Sequence, residues 1–269
     1  MTTTPEPIPL APLEESTNGP ALLGRVVVGS DRYAVYELLG SHLLSCALDC
    51  VAKFGDFHFA VSGGSTPFPF YQSLMTDPRY RSFPWARTHL WIVDERRVAF
   101  DNPLSNWRQI SEIFCDHSGM PDSQIHPMMA TASDAAEQYE KLLRSLLSSR
   151  PHSEDRLDFV LLGMGDNGHT ASLFPETAVL NEKNLWVSYC DGPTVTPPPR
   201  VTMTYPLLNN ARVIAPLVIG ANKAEMIARV ATGKDDFHTL PIKGINPKSD
   251  TRQNPGDLVW YLDRASCGE

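Results

Sequence analysis

Residues 159–169 read Phe159-Val-Leu-Leu-Gly163-Met-Gly-Asp-Asn-Gly-His169, an apolar run that ends in three glycines, an acid, an amide and a histidine. Four apolar residues without alternation suit a strand buried on both faces, as in a parallel sheet covered by helices. Comparable runs lie at 25–28, 57–61, 89–93, 186–189, 213–219 and 258–262. Between them the period changes. Apolar residues recur at Val35, Leu38, Leu39, Leu43, Leu44 and Ala47, a helical spacing over 31–50. Asp134-Ala-Ala-Glu137 has the form of a capping box, opening a helix with Tyr139, Leu142, Leu143, Leu146 and Leu147 on one face. Further helices are expected through Tyr71 and Leu74, and from His169 to Leu173. Alternating strands and helices predict an α/β fold with a mostly parallel sheet and helices on both faces.

Pro216 removes a ladder donor, so the 213–219 strand is expected at an edge or with a bulge. No internal repeat appears, and no linker after residue 25 splits the chain. The reading is a single α/β domain over 23–269 behind a flexible arm, 1–22, rich in Pro, Thr and Glu. Thr194-Val-Thr-Pro-Pro-Pro199 reads as a stiff loop and 245–256 as a polar surface loop.

Thirty-one acids against 23 bases give a net charge of −8, which disfavours a nucleic-acid partner or an anionic membrane surface. No apolar stretch is expected to reach the ~20 residues of a membrane span. The N-terminus lacks the basic start and apolar middle of a secretory signal. Five scattered cysteines (Cys46, Cys50, Cys115, Cys190, Cys267) form no zinc-ligand spacing and read as reduced thiols of a cytoplasmic protein, with Cys267 in an exposed tail.

Ligands of an open parallel sheet bind beyond the carboxyl ends of its strands. Three such ends carry unusual polar sequence. Ser62-Gly63-Gly64-Ser65-Thr66 offers successive amides and two hydroxyls as an anion cradle, or else an ordinary turn capped by Ser65. It is not a phosphate loop of the Walker type, since spacing and lysine are absent. Arg96, in Asp94-Glu-Arg96, suits bidentate phosphate binding, or else pairs with Asp94 or Glu95. His169 is read alone as structural more readily than catalytic; a glycine turn at a sheet edge moves it toward acid–base work. Asp166 and Asn167 lie close enough to orient its ring or to cap a following helix. Lys223 stands at the end of the 213–219 strand and Arg200 follows the Pro-Pro-Pro loop, each a surface charge if taken singly.

These segments, in this order, resemble the 6-phosphogluconolactonases from about residue 25 onward. The matching stretches are Ser62–Pro67, Trp91–Arg96 with Ser105-Asn106, Gly163–Pro175, Pro197–Thr202, Leu207–Asn209, Gly220–Lys223 and Leu258–Leu262. The resemblance implies a modified Rossmann-like fold, no cofactor and no metal, and hydrolysis of 6-phospho-D-glucono-1,5-lactone. It implies His169 as the base that activates water, and Gly63, Gly64, Ser65, Thr66, Arg96, Lys223 and Arg200 around the 6-phosphate. Glucosamine-6-phosphate deaminases share the Gly-His turn but continue differently: Thr170-Ala-Ser-Leu-Phe-Pro175 lacks their catalytic glutamate. One departure stands out. The family places an aspartate two residues before the histidine, where this chain has Asn167. An isomerase or deaminase acting on an amino-sugar phosphate, and a non-catalytic sugar-phosphate binder, are the alternatives.

Overall fold

The computed structural model describes residues 19–150, 155–195, 197, 199–247 and 256–269. Most of the expected arm, part of the 194–199 loop and most of the 245–256 loop lie outside them. Ten strands are found among the described residues: β1 (Arg25–Gly29), β2 (Phe57–Val61), β3 (Thr88–Ile92), β4 (Asp94–Arg96), β5 (Ile125–His126), β6 (Phe159–Leu162), β7 (Val187–Cys190), β8 (Arg200–Met203), β9 (Val213–Val218) and β10 (Asp257–Asp263). The α-helices are α1 (Arg32–Phe54), α2 (Phe68–Thr76), α3 (Asn106–Phe114), α4 (Ala135–Ser148), α5 (Tyr205–Leu208) and α6 (Ala224–Ala231).

Seven strands form one sheet in the order β1-β10-β9-β6-β2-β3-β5, and every pairing in it is parallel. β2, β6 and β9 are buried along their whole length, as their unbroken apolar sequence requires. β4, β8 and β7 form a small antiparallel sheet beside it.

α1 begins where the Asp31 carboxylate accepts the amides of Tyr33 and Ala34 and ends at Gly55, left-handed at φ 92°. By length and composition α1 would suffice to cross a membrane, contrary to the expectation above, but half of its apolar window is buried inside the protein. Leu39, Leu43 and Ala47 pack into the common core.

Four local expectations are corrected. β9 is a central strand, between β10 and β6, and carries no bulge. Its register to β10 is the same before and after Pro216; only the pairs at Ala215 and Pro216 are missing from that ladder, while Leu162 still pairs Pro216 on the other side. α4 starts as expected, but Asp134 makes no capping bond to it; Asp134 accepts from the Gln138 side chain and Glu137 from the Tyr189 hydroxyl. No helix follows His169. Ala171 sits at φ 49° and Leu173 closes a turn onto Thr170 at 2.9 Å. Ser172 explains the difference, because its amide and hydroxyl are claimed by Thr202 and Asp94 from the small sheet. All five cysteines are free, and Cys267 is half-buried rather than exposed.

Candidate functional site

β9, β6, β2 and β3 are neighbours in the sheet, so the polar turns that follow them meet above adjacent strand ends. The result is a cavity of about 550 Å³ lined by residues 62–67, Asp94, Arg96, Asn106, 163–167, His169–Ala171, Phe174, Thr194 and Arg200. Gly63, Gly64, Ser65, Thr66, Arg96, Asn167, His169 and Arg200 are thus brought together. Lys223 lies outside the lining.

The 62–66 turn is held from beneath. Ser62 donates to the Leu161 carbonyl at 2.9 Å, Tyr71 to the Ser62 carbonyl at 2.8 Å, and Tyr36 to the Thr66 carbonyl at 3.0 Å. The amides of Gly63, Gly64, Ser65 and Thr66 donate to no acceptor among the described residues. Gly64 is left-handed at φ 102°, and a side chain at Gly63 would run into Asn106 Oδ1 at 2.0 Å. Ser65 does not cap α2, whose first residue follows Pro67 without a side-chain cap.

Asn106 was not among the candidate residues. Its placement comes from Glu95, a fully buried carboxylate that accepts the amides of Arg96, Asn106 and Trp107 and the Ser105 hydroxyl, all within 2.9 Å. Burial pushes the Glu95 carboxyl above its ordinary range, against the pull of those donors. Fixed in this way, Asn106 donates to the Asp94 carbonyl at 2.8 Å and accepts from Arg96 Nη1. Arg96 therefore pairs with neither acid beside it. Its Nη1 also reaches the Leu104 carbonyl at 3.0 Å, while its buried Nε has no partner among the described residues.

His169 lies against Phe174, ring on ring, with centroids 4.3 Å apart and 17° between planes. Gly165 makes room for it, since a Cβ there would stand 2.0 Å from the imidazole. The protonation pattern follows from Asn167. The His169 amide, which can only donate, points at Asn167 Oδ1 at 3.2 Å. The same oxygen lies 2.6 Å from His169 Nδ1. Nδ1 therefore carries the proton and Nε2 the lone pair. Burial lowers the His169 pKa to about 4; among the surrounding charges Asp94 raises it, Arg200 and Lys223 lower it and Asp166 raises it. The ring is neutral at pH 7.

Arg200 is buried, 4% exposed. Its Nε donates to the Pro197 carbonyl at 2.8 Å, and Nη1 approaches Ser172 Oγ at 3.4 Å and Asp94 Oδ2 at 3.6 Å. Lys223 donates to the Met164 carbonyl at 2.9 Å and pairs with Asp166. Asp166, the acid displaced by one position, thus faces the lysine rather than the imidazole.

A second polar cluster sits near the opening residues of β2 and β3. Asp56, His58 and His89 offer ligand atoms within 4.8 Å of one another, but the donor set does not suit a cation. Trp91 Nε1 donates to His58 Nδ1 at 3.0 Å, whereas a metal-bound imidazole needs an acceptor at its second nitrogen. Arg150 already neutralises Asp56 at 2.5 Å.

Residues 30–260 match the family described as glucosamine-6-phosphate isomerases/6-phosphogluconolactonase. The chain belongs to this family. The 6-phosphogluconolactonase of Synechocystis sp. is 35% identical over 219 residues, spanning 80% of this chain and 85% of the relative. The GDH/6PGL endoplasmic bifunctional protein of Homo sapiens is 36% identical over 233 residues, but the chain spans only 28% of its length. Among solved structures, 6-phosphogluconolactonase from Thermotoga maritima superposes with a TM-score of 0.73 at 26% identity, covering 88% of this chain and 98% of that one. Membership accounts for the order of the polar turns. It leaves Asn167, Asp166 and the Lys223 pairing as features to be explained from this chain alone.

Proposed function

We propose that the protein hydrolyses 6-phospho-D-glucono-1,5-lactone to 6-phospho-D-gluconate, as the relatives' names suggest for them, in the oxidative pentose phosphate pathway. The observation that carries this reading is His169, with its proton fixed on Nδ1 by Asn167 and its Nε2 lone pair available, in a cavity that also holds unpartnered amides and an arginine.

The four amides of 63–66 and Arg96 form the anion end. Charge-assisted hydrogen bonds to a phosphate are stronger than neutral ones, and the buried Arg96 Nε is a donor waiting for an acceptor. Anchoring the phosphate fixes the distant C1 carbonyl, so binding energy far from the reaction becomes orientation at the reacting carbon. Nε2 takes a proton from water as the water oxygen attacks C1. Collapse of the tetrahedral intermediate breaks the bond from C1 to the ring oxygen, and His169 returns the proton to that oxygen. Asn167 keeps the tautomer correct at every stage. Lys223 acts from outside the lining, by holding the Gly163–His169 turn through Met164 and Asp166. Free cysteines agree with a reducing, cytoplasmic location.

The test is lactone opening followed against an enzyme-free control. Acceleration that falls by ~10²–10⁴ in His169→Ala is the expected result. Absence of any acceleration by the wild-type protein would overturn the reading. Release of ammonia from glucosamine 6-phosphate would instead assign the deaminase chemistry.

A further inference from the structure

We propose that Asp94, on β4, supplies the negative charge that sustains the basicity of His169, a task for which the turn itself offers only the neutral amide of Asn167. The proposal rests on His169 being the base of the reaction above, but its central measurement does not depend on turnover.

Four charged groups act on His169: Asp94 from β4 and Asp166 from its own turn raise its proton affinity, whereas Arg200 from β8 and Lys223 from the turn before α6 lower it. Two of them are already paired with each other at the surface. Asp166 is 82% exposed and bound to Lys223, so solvent and the lysine screen its charge. Asp94 is different. Asp94 lines the same cavity as His169, and its side chain is 7% exposed. Ser172 Oγ donates to its Oδ2 at 2.6 Å, which holds the carboxylate in place. That serine lies three residues beyond His169, in the turn that replaces the expected helix.

Arg200 is the opposing half of the device. Its Nη1 stands 3.6 Å from Asp94 Oδ2, a loose approach rather than a bidentate clasp, and it shares Ser172. The guanidinium also lies 5.5 Å from the Phe174 ring against which His169 is stacked. Asp94 thus approaches a buried cation and lines the same cavity as the imidazole. Without it, His169 would face Arg200 and Lys223 with only a screened acid in compensation. The imidazolium that forms when water is deprotonated would then have no close counter-ion.

The effect acts through His169, so Asp94 is a positioning residue for charge and not a group that touches the lactone. Its test is the titration of the His169 ring, followed by nuclear magnetic resonance on protein with labelled histidine, with His169→Ala identifying the signal. Asn167→Asp first lifts the titration into a window where the protein is easily handled. Adding Asp94→Asn to that variant is expected to lower the proton affinity of His169 by about tenfold or more, and to move the acid limb of kcat/KM by the same amount. In the otherwise wild-type protein, Arg200→Gln shifts the titration the opposite way, to higher pH. Should Asp94→Asn fail to fold, the Arg200→Gln shift carries the test. A His169 titration unmoved by Asp94→Asn, or lowered by Arg200→Gln, overturns the proposal. Wild-type protein that shows these shifts yet opens no lactone would sink the hydrolase reading and leave the Asp94–His169 coupling standing.

Discussion

Replacing Gly165 by alanine isolates the placement of His169 from every other property of the site. A Cβ at this position would lie 2.0 Å from His169 Cε1 and 2.1 Å from Nδ1. Carbon atoms settle at ~3.5–4.0 Å, so the imidazole must withdraw by more than about 1 Å. The turn offers little slack. Gly165 donates to the His169 carbonyl at 2.8 Å and accepts from the Gly168 amide at 3.0 Å, while Phe174 closes the other face of the ring. A displacement of about 1 Å at a reacting group costs ~10²-fold in rate, and the Nδ1 bond to Asn167 that fixes the tautomer would be lost with it. Gly165 is not left-handed, so alanine adds no backbone strain and the fold should persist. The comparison is Gly55→Ala at the end of α1, where φ is 92° and a Cβ meets nothing within 4 Å. That variant should lose ~1–2 kcal/mol of stability with an unchanged rate. Lactone opening, corrected for the spontaneous reaction, and the thermal midpoint would be measured for both. Gly165→Ala with the wild-type kcat/KM would refute the argument that Nε2 is the base held in place by this turn.

Other expectations follow from the same geometry. Asn167→Asp sets a full charge on Nδ1–H, favours the imidazolium, and should raise the His169 titration from about 4 by roughly 1–3 pH units; a pH–rate profile with an unshifted acid limb contradicts this. Arg96→Ala removes a charge-assisted anchor worth ~1.5–3 kcal/mol, so KM should rise about 10–100-fold with kcat little changed, and a change confined to kcat would place Arg96 at the reacting carbon instead. Burial lowers His89 to about 4 and His126 to about 3. Both are neutral in the fold and bind protons more readily when unfolded. Their contribution is therefore complete above pH 6.5 and is lost as pH falls toward 4, at ~1.4 kcal/mol for each tenfold difference in proton affinity. Calorimetry should show the thermal midpoint falling across that window, less steeply in His89→Leu, and equal slopes for the two proteins would dismiss His89 as a cause. Ala171→Gly relieves a left-handed alanine and should raise the midpoint by a few degrees; a lower midpoint would mean that the turn needs its methyl group.

Much of this site was legible in one dimension. His169, Asn167, Arg96 and the 63–66 turn stood out as polar residues at the ends of apolar runs, Arg200 as a cation after a proline loop, and all line one cavity. Asn106 lay in one of the matching stretches but received no role, because nothing in its immediate sequence shows what it would touch. Its position depends on Glu95, which is buried only because β4 and the start of α3 meet around it. The helix expected after His169 failed for a similar reason. A local propensity of this size is outweighed when Thr202 and Asp94, remote in sequence, take up the Ser172 hydrogen bonds. Pro216 misled in the opposite direction: a central strand can lose two pairs on one side when six apolar residues gain full burial.

Local residue types were enough to find the strands of the parallel sheet other than β5, and the glycines and charges at their ends, but not β4 or β8, whose burial depends on the small sheet they build. Only the tertiary structure decided the pairings. It matched Lys223 with Asp166, Arg200 with Asp94, and the imidazole proton with Asn167. Coulomb and hydrogen-bond energies depend on distances between groups that the fold brings together, and those distances appear in no stretch of the chain.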